Sequence, residues 1–292
     1  MVSLLGVFLL LFVAVGLSSN RAAIRLRTVL LAFGLQGGIG FVALWTDWGI
    51  AALAAASEYV AALLGYSRAG MEFMFGGLVG TSDSLGFVFA FNVLPVVIFF
   101  SSLIAVLYHA RVMQWMIRIL GGGLRKLLGT SHTESLSAAA NVFVGQAEAP
   151  LVARPYISSM TQSELFAVMV GGMASIAGSV MAGYVALGVP LEYLLAASFM
   201  AAPGGLLMAK LIEPEVDQPA EPAQGEKLTT EQYVNFIDAA ATGAMNGLQM
   251  AGAIGAMLLA FIALIAMVNG ILGAGGTWLG IEQLTLEGML GE

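Results

Sequence analysis

The sequence predicts an all-α polytopic membrane protein, and three observations carry that prediction. Of 292 residues, 59% are hydrophobic and only 10% are charged, where a soluble domain carries about 25% charged residues. Mean hydropathy is +0.91. The apolar residues also fall in runs close to the length a helix needs, about 20 residues at 1.5 Å each, to cross roughly 30 Å of hydrocarbon. A soluble alternative would need a core so large that most of the chain had no surface, which surface-to-volume scaling excludes at this size. The absence of cysteine excludes disulfides, thiolate catalysis and Cys-based zinc sites. The net charge of -7 says little, because a membrane protein is oriented by where its Lys and Arg fall.

Six runs meet the span criterion: 2–19, 28–46, 86–109, 164–189, 193–212 and 247–273. The first contains Val2 to Leu17 (VSLLGVFLLLFVAVGL) and has no basic residue before it; Arg21, Arg25 and Arg27 come after it. That order reads as a retained span with the N-terminus outside, not as a signal peptide. The third run is followed by Arg111, Arg118, Arg125 and Lys126, while the stretch between the second and third holds Asp47, Glu58, Glu72 and Asp83 against Arg68 alone. The positive-inside rule puts both basic clusters in the cytoplasm. Alternation carries the acidic, Pro-rich stretch Glu213 to Glu231 to the same side, where its composition predicts a disordered connector.

Two further pieces read as interfacial helices, with a buried bundle helix as the alternative for each. Val112 to Leu128 alternates apolar and basic positions at helical spacing and carries Trp115, a residue type that favours the headgroup level. Ile50 to Tyr66 is apolar, short and interrupted by Glu58.

Residues 131 to 157 (SHTESLSAAANVFVGQAEAPLVARPYI) are too polar in the middle and too short in their apolar arms to span. The expected shape is a re-entrant helical hairpin: Ser135 to Val144 enters, Gly145 to Ala147 turns and Glu148 to Ile157 returns. Gly145 permits the backbone angles of a tip, and Pro150, lacking an N–H, suits the first turn of the returning arm. Non-helical backbone at membrane depth survives only where it lines a cavity or is buried in protein. Asn141, Gln146 and Glu148 crowd this tip, and a carboxylate at the bilayer centre costs about 3 kcal/mol or more. Gln146 and Glu148 could repay that cost by hydrogen-bonding a polar solute, or could serve only to glue helices together; three polar side chains beside a turn favour the solute.

The next run contains GGMASIAGSVMAG, residues 171 to 183. Small residues at this density allow close helix packing. They also suit a helix interrupted around Ser175, whose freed carbonyls could join Asn141 and Ser175 around a hard monovalent cation such as Na⁺. His109 and His132 flank the 112–128 helix without a metal-spaced or nucleophilic partner and receive no role. Met245, Met250, Met257 and Met267 read as packing residues.

NVFVGQAEAPLVARPY followed by GGMASIAGSVMAGY resembles the central signature of the concentrative nucleoside transporters, and AMLLAFIALIAMVNGIL resembles one of their scaffold spans. The resemblance implies scaffold spans plus a transport domain of two inverted repeats, each with an interfacial helix, a re-entrant hairpin and a broken span. On that division, 1–109 holds the first three spans and 110–212 the first transport repeat. A linker follows over 213–235, a scaffold span over 236–273 and the start of the second repeat over 274–292. The resemblance further implies that Gln146 and Glu148 face the nucleobase with Val180 packed against it, and that Ala147 stands where the family usually has a hydroxyl. Na⁺ would lie between the side chains of Asn141 and Ser175 and the carbonyls of Val144 and Ile176. Asn141 favours Na⁺ over H⁺ coupling, because proton-coupled relatives tend to lack it.

The family's second hairpin and its N-E-F-V-A motif are not in this sequence, so the expectation is a C-terminally truncated chain that binds nucleoside poorly on its own. The implied setting is the bacterial inner membrane, with a nucleoside as partner, no nucleic acid, and a homotrimer when complete. An intramembrane enzyme using Glu148 as acid or base lacks a second catalytic group at a defined spacing. A channel would need a continuous polar stripe along several spans. The expectation is therefore a symporter and not an enzyme.

Overall fold

Helices make up nearly all the regular structure, as a chain in lipid requires: a helix satisfies its backbone polar groups within its own segment. The computed structural model describes residues 2–82, 86–143, 149, 153–176, 178–186, 188–219, 233–279 and 284–291. In order these form α1 (Val2–Gly16), α2 (Leu26–Trp45), α3 (Asp47–Phe75), α4 (Leu94–His109), α5 (Val112–Leu128), α6 (His132–Ala140), α7 (Gln162–Ala174), α8 (Gly178–Ala186), α9 (Leu191–Ile212), α10 (Phe236–Leu279) and α11 (Leu286–Gly291). Thr81–Ser82 and Gly86–Phe87 form a two-residue antiparallel ladder between α3 and α4.

Two antiparallel pairs organise the chain. A Cβ at Gly40 of α2 would lie 2.9 Å from Met200 of α9, and one at Gly204 would lie 2.8 Å from Gln36, so the pair runs in opposite directions at close approach. The second pair is α4 with α10. Here Ser102 Oγ donates to the Ala240 carbonyl at 2.8 Å, and a Cβ at Gly243 or Gly247 would fall 2.6 Å from Ala105 or 2.7 Å from Ile98. The resulting bundle has a basic end. Thr28 Oγ1 donates to the Leu128 carbonyl at 3.0 Å, which brings the start of α2, beside Arg25 and Arg27, to the end of α5, beside Arg125 and Lys126.

α5 lies at that basic end, as its amphipathic pattern predicts. Met113, Ile117, Gly121 and Leu128 are buried, while Trp115 and Arg118 on the other side are exposed.

α3 differs from expectation. The sequence suggests a short piece over 50–66, but the helix is 29 residues long, and residues 47–78 are long and apolar enough to cross a membrane. Its packing decides how it runs. Asp47 follows the end of α2, and Val60 packs against Met181 of α8 and against Leu191 and Leu194 at the start of α9. Met71, Leu64 and Phe75 pack against Val96 and Phe100 in the first half of α4. All of these partners lie at the end opposite the basic one, so α3 runs across that end.

α10 is 44 residues long, about 66 Å at 1.5 Å per residue. The expected span 247–273 falls within it. Its first half pairs with α4, and its second half exposes Leu259, Phe261, Ile262 and Ile271. α11 turns back onto that exposed half, where Asn269 Nδ2 donates to Glu287 Oε2 and the Leu286 N–H donates to Asn269 Oδ1, both at 2.8 Å.

Candidate ion and solute site

Two short helices, α6 and α7, build the site from the basic end toward the middle of the bundle, and both begin with the same device. The Ser131 N–H donates to Glu134 Oε1 at 2.9 Å while the Glu134 N–H donates back to Ser131 Oγ at 3.3 Å. The Thr161 N–H donates to Glu164 Oε2 at 3.0 Å and the Glu164 N–H to Thr161 Oγ1 at 3.1 Å. Each is a reciprocal capping box that satisfies two orphan backbone donors. The signature is plain in SHTE and TQSE, and the sequence reading above passed over it.

The other ends of these helices meet. α6 stops at Ala140, with Asn141 as its C-cap. α7 stops at Ala174, and Ser175 leaves the helix in an extended conformation, φ -101 and ψ 157. Helix resumes only at Gly178, so the span expected at 164–189 is interrupted around Ser175. Ser175 Oγ donates to Asn141 Oδ1 and to the Gly172 carbonyl, each at 3.3 Å.

Asn141 is 2% exposed, and among the described residues its Nδ2 has no partner. Two helix C-termini, each the partially negative end of its helix dipole, therefore converge on a pair of neutral side-chain oxygens. At 1.5 Å per residue the Asn141–Ser175 pair lies about 15 to 21 Å from the caps at Ser131 and Thr161, roughly half the depth of a hydrocarbon layer.

The small residues of 171–183 serve close packing and also border the interruption at Ser175. A Cβ at Gly171 would lie 3.0 Å from Asn141 Nδ2, and one at Gly205 of α9 would lie 3.4 Å from the Gly171 Cα, so they permit close packing. A Cβ at Gly178 would fall 2.5 Å from the Phe143 carbonyl oxygen, so the restart of the broken helix also depends on its having no side chain.

Of the sequence-predicted site residues, Asn141 and Ser175 are brought together. Ile176 is partly buried, with its side chain against the Met181, Leu191 and Leu194 cluster. Val180 is partly buried in the first turn of α8. Val144, Gln146, Ala147 and Glu148 lie outside the described residues, as do the expected turn and residues 150–152 of the returning arm; its end is a 3₁₀ turn, Arg154–Ser159. Among the described residues no group of three His, Asp or Glu side chains is arranged to hold a metal, so a cation at Asn141 and Ser175 would meet neutral oxygens there. His109 packs its ring against Phe236, with centroids 4.6 Å apart, in keeping with a structural place for it.

The sequence reading also gave no role to Lys210, which is buried at the roots of these helices. Its Nζ donates to Ser163 Oγ at 2.7 Å and to Glu215 Oε2 at 3.3 Å. It also lies 2.9 Å from Glu134 Oε2, an ion pair off the hydrogen-bond line. The Glu134 side chain is 1% exposed and that of Lys210 9%. Removing one partner of such a buried pair typically costs 3–5 kcal/mol. Beside it lies a cavity of about 40 Å³ lined by Arg25, Thr28, Thr130, Ser131, Glu134 and Lys210 among others, room for a water or two.

Residues 5–78 match the N-terminus and residues 193–292 the C-terminus of the family described as Na⁺ dependent nucleoside transporter. Residues 90–191 match a domain described as nucleoside recognition. The nucleoside permease NupC of Helicobacter pylori is 47% identical, covering 99% of this chain and 69% of its own. The sodium/nucleoside cotransporter 1 of Homo sapiens is 39% identical over 99% of this chain and 43% of its own. Among solved structures, CNTnw in an inward-facing substrate-bound state is similar with a TM-score of 0.92 and 54% identity, covering 99% of this chain and 69% of that one.

Proposed function

The chain belongs to the Na⁺ dependent nucleoside transporter family, a family of multi-pass membrane permeases and not of enzymes, and we propose that it acts as a Na⁺-coupled nucleoside symporter. The observation that carries this reading is the meeting of two helix C-termini at Asn141 and Ser175, with side-chain oxygens 3.3 Å apart. Oxygens at that separation can share one hard cation at about 2.4 Å from each, and converging C-terminal dipoles favour a positive charge between them. A proton would need a titratable acceptor, and neither side chain offers one. The sodium/nucleoside cotransporter named among the relatives agrees with this choice of ion.

On this reading the carbonyls of Val144 and Ile176 complete the Na⁺ shell. Gln146 and Glu148 hydrogen-bond the nucleobase, and Val180 packs against it. Ala147 adds no hydrogen bond of its own. The basic end faces the cytoplasm of a bacterial inner membrane and the N-terminus lies outside. A homotrimer would cover part of the apolar length of α10. One elementary charge moving down 100 mV supplies about 2.3 kcal/mol, roughly forty-fold in accumulation at about 1.4 kcal/mol per decade, so one ion suffices for uphill transport.

Uptake of labelled uridine into proteoliposomes by the chain completed at its C-terminus tests the proposal. An inward Na⁺ gradient is expected to raise uptake several-fold over choline, and Glu148→Gln is expected to abolish the rise. Uptake that ignores Na⁺, or that survives Glu148→Gln, would overturn it.

A further inference from the structure

We infer that Lys210 is a positioning residue for the ion site, acting through the roots of the two half-helices; this rests on the reading of Asn141 and Ser175 as Na⁺ ligands. α6 is only 9 residues long and α7 only 13, short of the length at which a helix is stable by itself. Each ends inside the bundle, so the position of its inner end depends on packing and on how its root is held.

The roots are held at one atom. Lys210 Nζ ties three separate segments: it donates to Ser163 in the first turn of α7 and to Glu215 just beyond α9, and it pairs by charge with Glu134 on α6. Ser163 Oγ donates onward to the Glu213 carbonyl at 2.6 Å, and Thr161 Oγ1 donates to Glu215 Oε2 at 3.0 Å, so the N-cap of α7 is bound into the same knot. Both capping glutamates spend one oxygen on their own helix N-terminus. Only Glu134 turns its second oxygen to Lys210.

The site is a lever length away. A tilt of about 3° over about 20 Å of helix moves the far end by about 1 Å, and a displacement of that size far from the chemistry can cost about a hundredfold in function. Asn141 and Ser175 sit on different levers, so a loosened root changes the distance between them. A neutral side chain of similar length at position 210 would fill the space without tying the three segments.

The test compares Lys210→Met, Lys210→Arg and the double variant Glu134→Gln/Lys210→Met, which leaves no lone charge at that pair, in reconstituted protein. Na⁺ half-saturation is expected to rise about tenfold in Lys210→Met and in the double variant. Maximal uptake and nucleoside KM at saturating Na⁺ should stay within twofold, and Lys210→Arg should recover most of the Na⁺ affinity. A general loss of structure would instead lower maximal uptake and leave that split absent.

Hydrogen exchange, measured on the same samples, is expected to quicken at the amides of 137–141 and 171–175 and to stay unchanged in α2 and α4. Na⁺ half-saturation at the wild-type value, or equal losses in all kinetic parameters, overturns the inference. A wild-type protein with no Na⁺ response overturns the symporter reading instead; exchange then decides the role of Lys210, and unaltered exchange in Lys210→Met removes it.

Discussion

Asn141 and Ser175 were legible in the sequence because each is a polar or small residue where lipid depth would favour an apolar one. What spacing could not supply was their distance, since 34 residues separate them and only the two half-helices bring them to 3.3 Å. Lys210 was hidden for a different reason. A single Lys near the end of an apolar run reads as a side chain snorkelling to the surface, and only tertiary packing reveals that it is buried against Glu134. Gly178 offers a sharp check at this scale. Its Cα faces the Phe143 carbonyl so closely that Gly178→Ala must move backbone, and overpacking of that kind costs about 1–3 kcal/mol. The variant should melt measurably below wild type in detergent, while Gly122→Ala, where nothing lies within 4 Å, should melt with it.

Hydropathy marked most long helices well, because each carries its own run of apolar residues. It misjudged α3, whose Glu58 shortened the readable run, and it could not say which way a 29-residue apolar helix lies; partners confined to one end of the bundle decide that. It also gave no sign that α10 extends well beyond a single span. The α4–α10 pair depends on glycines whose role is local contact, not hydropathy. In Gly247→Ala the new methyl would lie 2.7 Å from the Ile98 Cα, and the expected cost is again about 1–3 kcal/mol. Chemical denaturation should show it as a lowered midpoint, whereas Gly252→Ala, facing open space, should leave the midpoint in place.

For the whole molecule, the placing of Arg and Lys was readable residue by residue, and the structure adds that both clusters gather at one end. α3 with Glu58 and Glu72 lies at the other. The chain has no cysteine, so single cysteines report sidedness directly. With the proposed orientation, an impermeant maleimide added to intact cells should label Glu72→Cys and spare Lys126→Cys, and inverted vesicles should give the reverse. Labelling of both from one side would mean that α3 crosses the membrane after all.

The interruption at Ser175 has an electrical consequence. A site halfway through the hydrocarbon sits partway down the drop in membrane potential. On the proposed reading, an ion arriving from either face therefore does part of its electrical work on binding, before any domain moves. Occupancy of the site would itself follow the voltage, with the potential acting as an extension of the ion's concentration. A coupling ion held at the membrane surface would lack that property.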